Sequence, residues 1–231
     1  MKILFIGGTG IISSACSALA LARGHSLYLL NRGQSQRPIP ADAIVLRGDI
    51  RQRASALAAL GDHHFDAVVD WVAFTPEHVQ NDIGLFHGRT AQYVFISSAS
   101  AYHTPPNFLP VSESTPLHNP FWEYSRNKAA CEMLLLDAYR NENFPVTVVR
   151  PSHTYDRTLL PFHDGFTTVQ RMRQGKKVVV HGDGTSLWTL THNTEFAVGL
   201  LGLLGNPHAL GETFHITSDE VLTWNRIYDT I

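Results

Sequence analysis

Residues 1–33 read MKILFIGGTGIISSACSALALARGHSLYLLNRG. Lys2 to Ile6 is a short apolar run rich in strand formers, and Gly7-Gly8-Thr9-Gly10 is a turn. Ile11 to Arg23 has helical composition, with small residues in its first turns. Gly24 is placed to end that helix, because glycine accepts the left-handed cap conformation. Ser26 to Leu30 is a second apolar strand. A glycine turn between strand and helix lets backbone N–H groups approach a phosphate, and the helix N-terminus adds partial positive charge.

That is the physics of a dinucleotide site. Gly7 and Gly10 fit a G-x-x-G-x-x-G spacing whose third place is Ser13. The third glycine of such a pattern allows close helix–strand packing, so Ser13 is a departure. Gly7, Thr9, Gly10, Ile11 and Ile12 are the candidate pyrophosphate contacts.

Outward from this unit, strands and helices alternate. Ala43–Leu46, Asp66–Trp71, Gln92–Ser97 and Val146–Arg150 read as strands. Ser55–Leu60, a segment starting at Thr75-Pro76-Glu77 and Glu123–Arg140 read as helices. Such alternation means βαβ units, an α/β class and a doubly wound parallel sheet. Ligands on such sheets sit at the carboxyl ends of the strands, where Gly7, Asn31, Asp49, Ala73, Ser98 and Pro151 fall. Beyond Ser152 the rhythm changes. Phe162–Gln174 and Asn193–Leu204 read as helices, Lys177–Val180 and Thr213–Ile216 as short strands. We therefore expect a dinucleotide-binding core over 1–155. Residues 156–231 are expected to supply mostly a small C-terminal substrate lobe, with a late helix and strand returning to the core. Leu222–Ile231 looks like a helix cut short, so the expectation is a truncated C-terminus.

Composition narrows the function classes. The 231 residues carry 44% hydrophobic and 16% charged side chains and a formal charge of −2, which makes nucleic acid an unfavoured partner. Thirteen histidines are scattered without a zinc-ligand spacing, so no metal is expected. The two cysteines, Cys16 and Cys131, read as small buried hydrophobes in a reducing compartment. With no secretory signal and no membrane-length apolar run, the expected location is cytoplasmic and no membrane partner is expected.

The chemistry centres on Tyr124-Ser125-Arg126-Asn127-Lys128. Tyrosine and lysine four apart share a helix face. A lysine ammonium beside a phenol favours phenolate, which suits a general base near neutral pH.

Taken together, GGTGIIS at 7–13, GDI at 48–50, FISSASAY at 95–102, YSRNK at 124–128, RPSHTYD at 150–156 and GDG at 182–184 resemble the extended short-chain dehydrogenase/reductases, the NAD-dependent epimerase/dehydratase family. The resemblance covers the whole chain. It implies a seven-stranded parallel Rossmann sheet with Tyr124 as catalytic base. Lys128 would tune Tyr124 and hydrogen-bond the nicotinamide ribose. The triad serine maps to Ser98, with Ser97 as the neighbouring alternative. The implied activity is oxidoreduction or epimerisation by hydride transfer at a hydroxyl or carbonyl carbon of a small, sugar-like substrate. Ser98 would hold the reacting oxygen while Tyr124 exchanges its proton.

The departures from the family pattern bear on subclass. Dehydratases carry an acidic pair where this chain has Ala99 and Ser100, which disfavours dehydration. Trp188 stands where nucleotide-sugar enzymes carry a diphosphate-gripping arginine, and Trp188 and Ser100 become candidate substrate contacts. The WTLTH segment resembles the branch that includes the chloroplast stem-loop-binding relatives. The alternative function is therefore a non-catalytic dinucleotide-binding or RNA-associated protein of the same fold. At the end of the second strand, Asn31 followed by Arg32 favours NADP over NAD, although neutral Asn31 can serve either. Asp49, followed by Ile50, matches the residue that receives the adenine amino group. Ala73, Ser97, Pro151 and His153 complete the cofactor candidates. A homodimer is implied through helices at about 75–88 and 123–140, by resemblance alone.

Overall fold

The computed structural model describes residues 1–231. In chain order its elements are β1 (Lys2–Ile6), α1 (Ile11–Ala22), β2 (Ser26–Asn31), β3 (Ile44–Arg47), α2 (Arg53–Leu60), β4 (Ala67–Asp70) and α3 (Pro76–Phe86). They continue with β5 (Tyr93–Ile96), α4 (Glu123–Glu142), β6 (Val146–Pro151), β7 (His153–Tyr155), α5 (Phe166–Arg173), β8 (Leu187–Trp188) and β9 (Leu190–His192). The last are α6 (Asn193–Leu203), β10 (Thr213–Ile216), β11 (Leu222–Thr223) and α7 (Trp224–Asp229).

Seven strands form one parallel sheet in the order β10-β6-β5-β4-β1-β2-β3. Both faces are covered, and the strands show it in their side-chain alternation. Leu4 and Ile6 of β1 enter one apolar cluster with Leu60, Val79, Phe86 and Leu135 from α2, α3 and α4. Ile3 and Phe5 enter the other, with Cys16, Ala20, Phe196 and Leu200 from α1 and α6. The strand order reverses at β1, flanked by β2 and β4. The crevice above their carboxyl ends is where such a sheet binds ligands.

Residues beyond 155 divide between core and lobe. α6 packs on α1, and β10 extends the sheet beside β6. The lobe gathers around Phe162, Trp224, Ile227 and Tyr228. Lys177–Val180 is not a strand, and α5 begins at Phe166 rather than Phe162. The pairs β7–β9 and β8–β11 were not legible, since strands of two or three residues carry no periodicity. No helix is long and apolar enough to cross a membrane.

Candidate active site

The turn after β1 is built on two glycines in the left-handed region, Gly7 (φ 102°) and Gly8 (φ 95°). A Cβ on Gly8 would lie 2.6 Å from Leu29 Cδ2, so it is Gly8 that lets the turn close against β2. The Ser17 hydroxyl fastens the same turn by donating to the Gly8 carbonyl at 2.9 Å. Ser13 has a distinct role: its hydroxyl accepts the Gly10 N–H at 2.7 Å and caps α1 from within. Asn193 at the start of α6 donates to the Ile11 carbonyl (2.8 Å), locking the first turn of α1 to the returning helix. Thr9, Ile11 and Ile12 stay half-buried at this helix entrance, and Gly10 is exposed.

A depression of about 310 Å³ opens beside the turn. It brings together Gly7, Asn31, Arg32, Asp49 and Ile50, drawn from the carboxyl ends of three successive strands, and adds Arg51, Phe74 and His78. Asn31 accepts the Gly33 N–H with its carbonyl oxygen (3.0 Å), while its buried amide nitrogen has no partner. The Arg47 guanidinium, from the neighbouring strand, lies directly against Gly33. Asp49 accepts the Arg51 N–H through one carboxylate oxygen (2.9 Å), and its second oxygen has no hydrogen bond. Arg51 donates to the Val72 carbonyl and keeps one buried guanidinium nitrogen unpaired.

Phe74 lines this depression and also faces Tyr124, with ring centroids 6.3 Å apart, so it joins the depression to the chemical residues. Lys128 is 2% exposed and donates to the carbonyls of Ala73 and Ile96, each at 2.7 Å. Its ammonium lies 5.6 Å from the Tyr124 ring centroid, and burial holds its pKa down to about 8. The expected lowering of the Tyr124 pKa by Lys128 does not appear. Burial raises the phenol's pKa, and the Ser98 hydroxyl is the group that opposes the rise. The lysine is spent on two carbonyls instead.

Several candidates sit differently from their expected places. Ala73 is fully buried and acts through its carbonyl on Lys128. Ser97 is 2% exposed and donates its one hydroxyl proton to Glu132. Glu132 in turn holds Arg150 through contacts of 2.6–3.2 Å, and both are buried. Pro151 is buried at the end of β6. His153 accepts the Trp188 indole N–H at 2.9 Å, so a cofactor candidate and a substrate candidate pair with each other. Trp188 also lies against Trp224, centroids 5.7 Å apart. The Ser100 hydroxyl accepts a hydrogen bond from Ser125 and lies against the Ser98 hydroxyl, each 2.9 Å away.

Asp70 was not among the candidates. It ends β4 and accepts the N–H groups of Val72 (2.6 Å) and Ala73 (2.9 Å), shaping the turn whose Ala73 carbonyl holds Lys128. Its signal was a carboxylate closing an otherwise apolar run, FDAVVDW. Asp82 shares the Tyr93 hydroxyl with Asp70 (3.1 Å each), and burial beside that second carboxylate raises its pKa well above the usual range. No group of three or more His, Cys, Asp or Glu side chains forms a metal-holding cluster.

Among known proteins, the chain is 26% identical over 238 residues to the chloroplast stem-loop binding protein of 41 kDa b from Arabidopsis thaliana. The match covers 97% of this chain and 60% of that one. It is also 26% identical over 168 residues to a UDP-glucose 4-epimerase of Lactobacillus helveticus, covering 65% and 51% of the two chains. The chain thus spans 60% or less of the length of these two relatives. In fold it matches dTDP-glucose 4,6-dehydratase from Bacillus anthracis in complex with NAD, with a TM-score of 0.84 and 20% identity over 99% of this chain and 79% of that one. UDP-glucose 4-epimerase from Thermotoga maritima with UDP-glucose matches at a TM-score of 0.84 and 18% identity, over 99% and 81%. The model of the NAD dependent epimerase/dehydratase family matches residues 3–217. The chain belongs to that family.

Proposed function

We propose that this protein is an NAD(P)-dependent oxidoreductase or epimerase acting at a hydroxyl- or carbonyl-bearing carbon of a small, sugar-like substrate. The observation that carries this reading is the set Ser98, Tyr124 and Lys128, joined through Phe74 to a depression at the strand-order reversal. The UDP-glucose 4-epimerases among its relatives act on sugar nucleotides by their names, which supports the class.

The residues present fit a dinucleotide. Gly7 and the first turn of α1 would take its pyrophosphate, and Asp49 has a free carboxylate oxygen for an adenine amino group. The unpartnered Asn31 amide is a buried donor on a residue that lines the same depression. With Arg32 lining that corner and Arg47 beside Gly33, it suits a 2′-phosphate, so the preferred cofactor is NADP. When bound, the nicotinamide supplies the hydride acceptor or donor. Ser98 holds the reacting oxygen by a hydrogen bond. Tyr124 takes its proton or returns it. Lys128 keeps one N–H beyond its two carbonyl bonds, available for a hydroxyl of the ribose.

The groove of about 490 Å³ between α3 and α4, with exposed Met133, is the surface we assign to a second copy of the chain. The two buried, unpaired cysteines favour a cytoplasmic setting, with the Cys131 thiol pushed up to about 12 by burial.

The test is Tyr124→Phe. It should abolish dinucleotide-dependent turnover on a panel of free and nucleotide-linked sugars while leaving fluorescence-monitored NADP binding within about threefold of wild type. Turnover that survives the substitution removes Tyr124 from the mechanism. Salt-sensitive RNA binding without dinucleotide binding would favour the stem-loop-binding alternative instead.

A further inference from the structure

We infer that Ser125 and Ser100 are positioning residues that fix Ser98 as an obligate hydrogen-bond donor, toward the Tyr124 oxygen in the free protein and toward the reacting oxygen once substrate is bound. The inference rests on the proposed roles of Ser98 and Tyr124. It assigns a direction to their hydrogen bond and names two residues that set it.

Three hydroxyls stand in a row, and their protons can be placed by counting. Ser125, fully buried on α4, donates to Ser100 Oγ at 2.9 Å. Ser100 Oγ lies 2.9 Å from Ser98 Oγ, the one acceptor within reach of its own proton. The Ser100 backbone N–H also donates to Ser98 Oγ, at 3.1 Å. A serine hydroxyl has one proton and two acceptor sites. Ser100 fills both acceptor sites of Ser98, one from its amide and one from its hydroxyl. The Ser98 proton must then point away from Ser100, which leaves it free for the Tyr124 phenol, whose ionisation Ser98 favours.

The surroundings hold the row in place. Asn119 donates to the Ser100 carbonyl at 2.9 Å and accepts the Phe121 N–H at 3.1 Å, tying the serine turn to the segment that enters α4. Ser125 has no other side-chain hydrogen bond and is closed off from solvent, so the row ends there. It orients a proton and does not conduct one. Each donated bond also polarises the next, which strengthens Ser98 as a donor in a partly buried site. The chemical consequence is selective. Ser98 stabilises a carbonyl oxygen, an alkoxide or a phenolate, and it cannot accept a proton from a substrate hydroxyl. Tyr124 alone fills that role.

The experiment follows the Tyr124 phenol by near-ultraviolet absorbance across an alkaline pH series, assigned by subtracting the Tyr124→Phe trace. Ser100→Ala returns an acceptor site to Ser98 and lets its proton turn away, so the phenol's acid constant should fall roughly three- to tenfold. Ser98→Ala should lower it at least as far. Ser125→Ala should shift it in the same direction, and Ser125→Thr, which keeps the hydroxyl, should restore the wild-type value. Circular dichroism confirms that each variant is folded, and Ser100→Ala, half-buried, serves if Ser125→Ala is not. Unchanged titration in folded Ser100→Ala and Ser125→Ala with a shift in Ser98→Ala overturns the proposal: Ser98 then acts without the row. No shift in any of the three also overturns it. The titration needs neither cofactor nor substrate. A protein that fails to bind a nicotinamide dinucleotide therefore sinks the functional reading without moving this result.

Discussion

Replacing Glu132 with Gln keeps the shape of the side chain and removes its charge. In the wild-type protein the Glu132 carboxylate is fully buried, and Arg150 is 5% exposed at its side chain. Three hydrogen bonds run from Arg150 to Glu132, and a fourth comes from Ser97. The guanidinium's other contacts are the Glu113 carbonyl (3.2 Å) and the Tyr102 ring (4.7 Å), neither of which can neutralise it. Removing one partner of a buried pair leaves an uncompensated charge and costs about 3–5 kcal/mol. For a chain of this size each kcal/mol lowers Tm by roughly 2–4 °C, so Glu132→Gln should melt roughly 6–20 °C below wild type. Urea unfolding, followed by tryptophan fluorescence, should show a lower midpoint with an unchanged m-value. The double variant Glu132→Met with Arg150→Met exchanges the charges for apolar groups and should recover most of the loss. A single variant within about 1 kcal/mol of wild type would refute the reasoning. So would a double variant as unstable as the two single changes added together, because the cost would then lie in packing and not in charge.

Three further outcomes follow from the same geometry. Lys128 has a pKa held down to about 8 in the folded chain against 10.5 when exposed, so the unfolded state binds more protons between those values and stability due to this group rises with pH there. The stability difference between wild type and Lys128→Met should therefore shift in favour of wild type by roughly 2–3 kcal/mol between pH 7 and pH 10, and a flat difference would contradict the burial argument. Gly8→Ala meets Leu29 at 2.6 Å and a left-handed backbone, so it should cost at least about 2 kcal/mol in denaturant unfolding; a neutral result would show that the turn can shift. Asp49→Ala should weaken dinucleotide binding by roughly tenfold in calorimetric titration, the worth of one charge-assisted hydrogen bond, and unchanged affinity would reduce Asp49 to its local bond with Arg51.

The central sheet was legible because its strands are apolar on both faces and its turns carry glycine or a polar stop. Residues following successive strands, Gly7, Asn31 and Asp49, were found from order alone and do converge on one depression. The lobe was less legible. Its strands of two or three residues are held by pairings to distant segments, such as Leu222 with Trp188, and nothing local announces them. Ser97 and Ser98 are adjacent serines of the same type. Their opposite fates, one turned into the Glu132 pair and one toward Tyr124, follow from the alternation at a strand's end and from which partners lie on each side.

By itself the sequence determined the α/β class, the glycine turn after β1 and the tyrosine–lysine helix, because each is set by spacing within about thirty residues of chain. Tertiary structure decided the electrostatics. Lys128 sits under the carbonyls of Ala73 and Ile96, and these come from two other strand ends. Its ammonium is desolvated and committed there, so it does not pull down the pKa of Tyr124 one turn away. Likewise Ser13 replaces a packing glycine in the pattern, yet its hydroxyl caps the helix, while Gly8 admits the neighbouring strand. Spacing places side chains on a face; only the packed neighbours settle which atoms are left to meet a ligand.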